Sequence, residues 1–118
     1  MITRADILAA ADRTVELFNV PEWGGAIYLR SLTVGERFTF LDLIRKNEWA
    51  DTAKADLATM QAHLCALCVC DSSGAALFTL EDVQALKNKD CLVIDRIFTR
   101  AQVVAGLIVA DTETTKKN

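Results

Sequence analysis

At 118 residues the chain has the length of one domain, and its charge is nearly balanced, with 13 lysines and arginines against 16 aspartates and glutamates for a formal net charge of −3. The basic residues are scattered rather than gathered into a stripe, which speaks against a nucleic-acid surface. The richest apolar stretch, Leu92 to Ala110, is interrupted by Asp95, Arg96, Arg100 and Gln102, so it cannot supply the roughly 20 apolar residues of a membrane helix. Hydrophobic residues nonetheless make up 52% of the chain. In a domain this small such an excess goes either into an alanine-rich helical core or into a surface that meets a partner or a second copy.

The N-terminal residues Met1-Ile2-Thr3-Arg4-Ala5-Asp6 carry an early acid and no sustained apolar run, so no secretory signal is expected and the four cysteines are expected as reduced thiols in a cytoplasm. Thr3 or Asp6 can cap a short helix over Ile7 to Ala11. Two strand-like runs follow, Thr14 to Val20 and Ala26 to Arg30, both rich in β-branched and aromatic residues. Between them Pro21-Glu22-Trp23-Gly24-Gly25 holds the only proline and two adjacent glycines, which predicts a hairpin loop. In the second run Ile27 and Leu29 fall on one face, Tyr28 and Arg30 on the other. A two-stranded ribbon is marginal in water, so it must pack on helices or pair an edge with another subunit.

Thr33-x-x-Glu36 has the form of a capping box and predicts a helix from about Val34 to Lys46. Val34, Phe38, Leu41 and Ile44 repeat on one face, widened by Phe40 and Leu43, which marks it as the central helix. Asn47 to Thr52 breaks the period and places Trp49 in a loop, with Asp51 or Thr52 as the next cap. A further helix resumes with Leu57, Met60, Leu64 and Leu67 and stops near Cys70. Asp71-Ser72-Ser73-Gly74 is a turn by composition. Thr79-x-x-Asp82 opens a short helix through Leu86, and after Asn88-Lys89-Asp90 a last helix shows the face Ile94, Ile97, Phe98, Ala101, Val104 and Ile108. The fold class is therefore α+β: an N-terminal β-hairpin packed on a bundle of four to five helices, one domain over residues 1–110 with a polar, disordered tail over 111–118.

No reaction chemistry is encoded. His63, Cys65, Cys68 and Cys70, with Cys91 as a spare, invite a metal site, but at about 100° per residue His63 and Cys70 lie opposite Cys65 and Cys68 on one helix. Zinc takes its ligands from turns or converging elements, and a redox or nucleophilic cysteine needs a helix N-terminus or an orienting base, so these cysteines are expected simply to pack, with no metal and no cofactor. Gly24, Gly25 and Gly35 form no phosphate loop. The candidate residues are instead partner-binding: Trp23 with its neighbour Glu22 at the hairpin loop, Trp49, and Phe38 and Leu41 on the face of the second helix. Self-association is expected at the hairpin edge or the Trp23 loop.

The order of these pieces resembles the small tail assembly chaperones of long-tailed phages. The resemblance is carried by Ile7-Leu8-Ala9-Ala10, Val20-Pro21-Glu22-Trp23-Gly24-Gly25, Tyr28-Leu29-Arg30-Ser31-Leu32-Thr33 and Gly35-Glu36-Arg37, then by Leu64 to Asp71, Gly74, Leu77-Phe78, Glu81-Asp82-Val83, Leu86 and the last amphipathic helix. It implies a non-enzymatic protein of the bacterial host cytoplasm that binds the tape-measure protein, keeps it soluble, helps recruit tail-tube subunits and is absent from the mature virion. It also implies two lengths made by ribosomal frameshifting, for which an adenine-rich run encoding Lys116-Lys117-Asn118 is a candidate site. A structural head–tail component is the alternative reading, and a host-side interaction module with no phage role is another.

Overall fold

The computed structural model describes residues 1–49 and 57–108, the side chains of 47–49 excepted. The expected cap at Asp51 or Thr52 and the tail over 111–118 lie outside the described residues.

Helix α1 spans Arg4–Ala9. It starts three residues before the expected position because Thr3, not Asp6, is its cap: the Asp6 amide donates to Thr3 Oγ1 at 3.2 Å and the Thr3 amide donates back to Asp6 Oδ2 at 3.0 Å. Ala10 is already extended, which ends the helix early.

The hairpin forms where the β-branched runs lie. Strand β1 (Val15–Val20) pairs antiparallel with β2 (Gly25–Arg30), in a register that sets Val15 opposite Arg30 and Val20 opposite Gly25. Pro21–Trp23 make one 3-10 turn between them, and Gly24 takes φ +84° to bring the chain back, a conformation that glycine adopts without a Cβ penalty. A third strand, β3 (Val69–Cys70), pairs with β2, Tyr28 opposite Cys70 and Leu29 opposite Val69. The sequence reading carried a helix through to this point. The correction comes from β2, whose far edge presents backbone groups that must be paired if they are to be buried.

Helix α2 runs over Val34–Trp49, three residues longer than expected, so Trp49 closes a helix rather than sitting in a loop. The capping box is present: the Glu36 amide donates to Thr33 Oγ1 and the Thr33 amide to Glu36 Oε1. The central element, however, is α3 (Leu57–Cys68), whose residues Ala62 to Cys68 are all buried, the pattern of a helix covered on every side. Asp71 closes the following turn by accepting at Oδ1 from the Ser73 and Ala75 amides. A capping box at Thr79 and Asp82 leads through a 3-10 turn into α4 (Val83–Leu86).

Helix α5 (Cys91–Val104) is capped by Asp90, whose Oδ2 accepts from the Leu92 and Val93 amides, and its face Ile94, Ile97, Phe98 and Ala101 is buried as the periodicity requires. Ile108 lies beyond the helix and is exposed, because Gly106 at φ +75° has already turned the chain. The core joins Val20 and Leu29 of the sheet to α3, α5, Phe40 and Leu86. The sheet thus packs on α3 and α5, and the α+β class stands, with the hairpin and five helices among the described residues.

Candidate partner-binding surfaces

The orientation of α2 decides which of its apolar residues meet solvent. Glu36 is held from two sides: its Oε1 accepts from Arg13 Nη2 at 2.6 Å and its Oε2 from Arg30 Nη2 at 3.4 Å. Arg30 is itself buried and donates to the Leu67 carbonyl at 2.9 Å and the Gly74 carbonyl at 3.1 Å, while Arg13 grips the Ser31 carbonyl through Nε and Nη2. Pinning Glu36 toward the sheet turns Phe40, one helical turn on, into the core, where it is 2% exposed. Residues two positions either side of Glu36 then point the opposite way, and Val34 and Phe38 are 76% and 64% exposed. The expectation of a core face through Val34 and Phe38 is therefore corrected: both sit on the outer side, a row that continues into half-buried Leu41.

Leu41 also lines a groove of about 200 Å³ with Phe40, Ile44, Met60, Phe98 and Leu107, drawn from α2, α3, α5 and the turn that follows α5. Val34 and Phe38 do not line this groove, and Leu41 alone belongs to both; an apolar groove of this kind is a shape that takes an amphipathic helix. The side chain of Trp49, four turns along from Val34, lies outside the described residues.

Trp23 is half-buried and packs against the core. It lines a separate cavity of about 240 Å³ with Phe78, Asp82, Ala85 and Leu86, and the Lys89 ammonium sits 5.6 Å from its ring centroid. Glu22 is engaged within the chain, accepting from both terminal nitrogens of Arg96 at 2.7 Å, and this pairing holds its carboxyl at about 2. Six residues up β1, Glu16 takes the same two-pronged grip from Arg100 at 2.5 and 2.7 Å. The two pairs fasten the hairpin to α5 beside a cavity that Phe18, Arg96 and Arg100 help to line. The structure thus brings Phe38 and Leu41 together and places Glu22 and Trp23 on another side, tied to α4 and α5. The Arg13–Glu36–Arg30 network escaped the sequence reading, since nothing local marks Arg13 and Glu36, 23 residues apart, as partners.

Cys65, Cys68 and Cys70 are buried in the core. Burial pushes the Cys65 and Cys68 thiols up to about 12, with Cys68 reinforcing the shift at Cys65, the reverse of an activated thiolate. His63 is buried edge-on to Phe40, with ring centroids 6.1 Å apart, and its Nε2 has no hydrogen-bond partner among the described residues. Burial lowers its pKa, keeping the ring neutral.

A three-stranded sheet on a helical core, with an apolar groove among α2, α3 and α5, defines an α+β protein. The sequence matches the phage tail assembly chaperone family over residues 4–118, and the chain belongs to that family. Its fold is similar to that of the tail assembly chaperone of bacteriophage HK97, at TM-score 0.66 and 17% identity, covering 85% of this chain and 94% of that one. No curated protein sequence matches it. Among the described residues no helix is long and apolar enough to cross a membrane.

Proposed function

We propose that this protein is a non-enzymatic chaperone of the host cytoplasm that binds the tape-measure protein, keeps it soluble before tube assembly, and helps recruit tail-tube subunits without entering the mature virion. The observation that carries the reading is the apolar surface of α2: Val34 and Phe38 are largely exposed, and Leu41 further along the helix lines an apolar groove. A tape-measure protein waiting for its tube presents long amphipathic helices, and such a helix can lay its apolar side in this groove. Self-association at the free edge of β1 or around Trp23 belongs to the same reading, because β1 has no outer neighbour among the described residues.

Co-expression with the tape-measure protein encoded beside it tests the proposal. The partner should become soluble and co-purify, and Val34→Ser with Phe38→Ser should cut recovery at least about tenfold while leaving the melting temperature within a few degrees, since both residues are exposed. A variant pair that binds as well as the parent sinks the α2 surface. Finding this chain at stoichiometric copy number in purified virions sinks the chaperone role and favours a structural head–tail subunit.

A further inference from the structure

Glu22 and Trp23 lie away from the α2 surface and belong to a site of their own. Trp23, Phe78, Ala85 and Leu86 line a cavity of about 240 Å³, and Asp82 and Lys89 complete its lining. Leu86 is buried while Ala85 and Lys89 are exposed, so the lining runs from the core to the surface.

Both sides of the cavity are held in place. Trp23 follows Glu22, whose carboxylate accepts from both terminal nitrogens of Arg96 at 2.7 Å, and the left-handed Gly24 closes the same turn. Phe78 precedes the capping box of Thr79 and Asp82, in which the Thr79 amide donates to Asp82 Oδ2 at 2.8 Å. A pocket with fixed walls loses little freedom when it is filled.

Size and charge define what fits. At about 240 Å³ the cavity falls short of the roughly 300–1,000 Å³ of a small-molecule or cofactor site and suits one bulky side chain of another protein. Its own carboxylate, Asp82, is committed to the Thr79 cap, and Asp90, next to Lys89, caps α5. Lys87 and Lys89 form no ion pair among the described residues. The Lys89 ammonium rests 5.6 Å from the Trp23 ring centroid, and Lys87 lies with it along an adjoining cavity. An aromatic wall beside a cation that lacks a carboxylate is complementary to an apolar side chain with an anion next to it.

We propose that this cavity anchors a partner protein, taking a leucine- or phenylalanine-sized side chain while a carboxylate on the adjacent residue pairs with Lys89. The site shares no lining residue with the α2 groove and does not depend on the tape-measure reading. It assigns the Trp23 loop to a foreign chain, so of the two self-association surfaces named above only the β1 edge remains.

Amide-resolved NMR of the full chain, titrated with the blocked dipeptide acetyl-Leu-Glu-amide to about 20 mM, reads the outcome. Shifts should centre on Trp23, Phe78, Ala85 and Lys89 and saturate with a dissociation constant on the order of 1 mM, a strength open to a fragment of this size. Acetyl-Leu-Gln-amide should bind about threefold more weakly, the effect of an exposed ion pair, and acetyl-Ala-Glu-amide at least about tenfold more weakly. Lys89→Gln should bind the first two alike, and Ala85→Leu, which fills the cavity, should bind none of the three. Both positions are exposed, so the variants should melt within a few degrees of the parent. The absence of a saturable shift around Trp23 overturns the proposal, as does equal binding of the Leu and Ala peptides. A preference for Glu over Gln that survives Lys89→Gln overturns the pairing with Lys89. Shifts at Leu41 and Ile44 in place of these overturn this site and leave the α2 groove standing.

Discussion

Replacing Glu36 by alanine removes the link that sets the roll of α2, and its cost can be worked from the contacts. The carboxylate accepts from the Thr33 amide, from Arg13 at 2.6 Å and from Arg30 at 3.4 Å. Losing its half of the capping box costs about 1 kcal/mol. The Arg13 pair is about a quarter exposed on both sides, so solvent screening limits it to about 0.5 kcal/mol. Arg30 matters most, because its side chain is only 10% exposed and would keep its charge without a carboxylate. Two backbone carbonyls still accept from it, which holds that penalty to about 1–2 kcal/mol rather than the 3–5 of a fully stranded ion. The sum is about 3 kcal/mol, or a fall of about 10 °C in melting temperature for a domain of this size. Thermal and urea unfolding followed by circular dichroism measure it, and Arg30→Met in the Glu36→Ala background should recover part of the loss by removing the stranded charge. A Glu36→Ala variant within about 0.5 kcal/mol of the parent would refute the reasoning, since the network would then play no part in holding α2.

Acid should destabilise the protein through His63. Burial lowers the pKa of the folded state below the ordinary 6.5, so the unfolded chain takes up the proton first; stability is full above about pH 6.5 and falls as pH drops through the folded value. His63→Leu should flatten that part of the stability curve, and an unchanged slope in urea titrations from pH 7.5 to 5 would contradict it. Thiol titration of the native protein should find Cys91 alone reactive at pH 8, with Cys65, Cys68 and Cys70 appearing after unfolding. Fast labelling of all four without denaturant would mean that the α3 core opens readily. Trp23→Ala should cost about 2 kcal/mol because the ring is half-buried against the core, and it should free Lys89; a loss below about 0.5 kcal/mol would show that Trp23 contributes little packing.

What the amino-acid sequence determined by itself was whatever a few neighbouring side chains can settle. Thr33 and Glu36, Thr79 and Asp82, Asp71 with Gly74, and Pro21 to Gly24 each satisfy or redirect backbone within four or five residues, and each sits where its chemistry placed it. The face of α5 followed too, because one strong apolar period has one way to meet a core. Tertiary structure decided the rest. The apolar residues of α2 nearly encircle the helix, so periodicity could not choose between Phe38 and Phe40; the choice fell to Arg13 and Arg30, which reach Glu36 from the strand side. Two residues, Val69 and Cys70, became a strand because β2 had an edge to fill, a demand made from 40 and 42 residues away and invisible in a helical run of Leu, Ala and Cys. Family membership was legible in the order of the blocks, whereas the surface left open for a partner depends on the rotation of one helix, which is fixed only when distant charges meet.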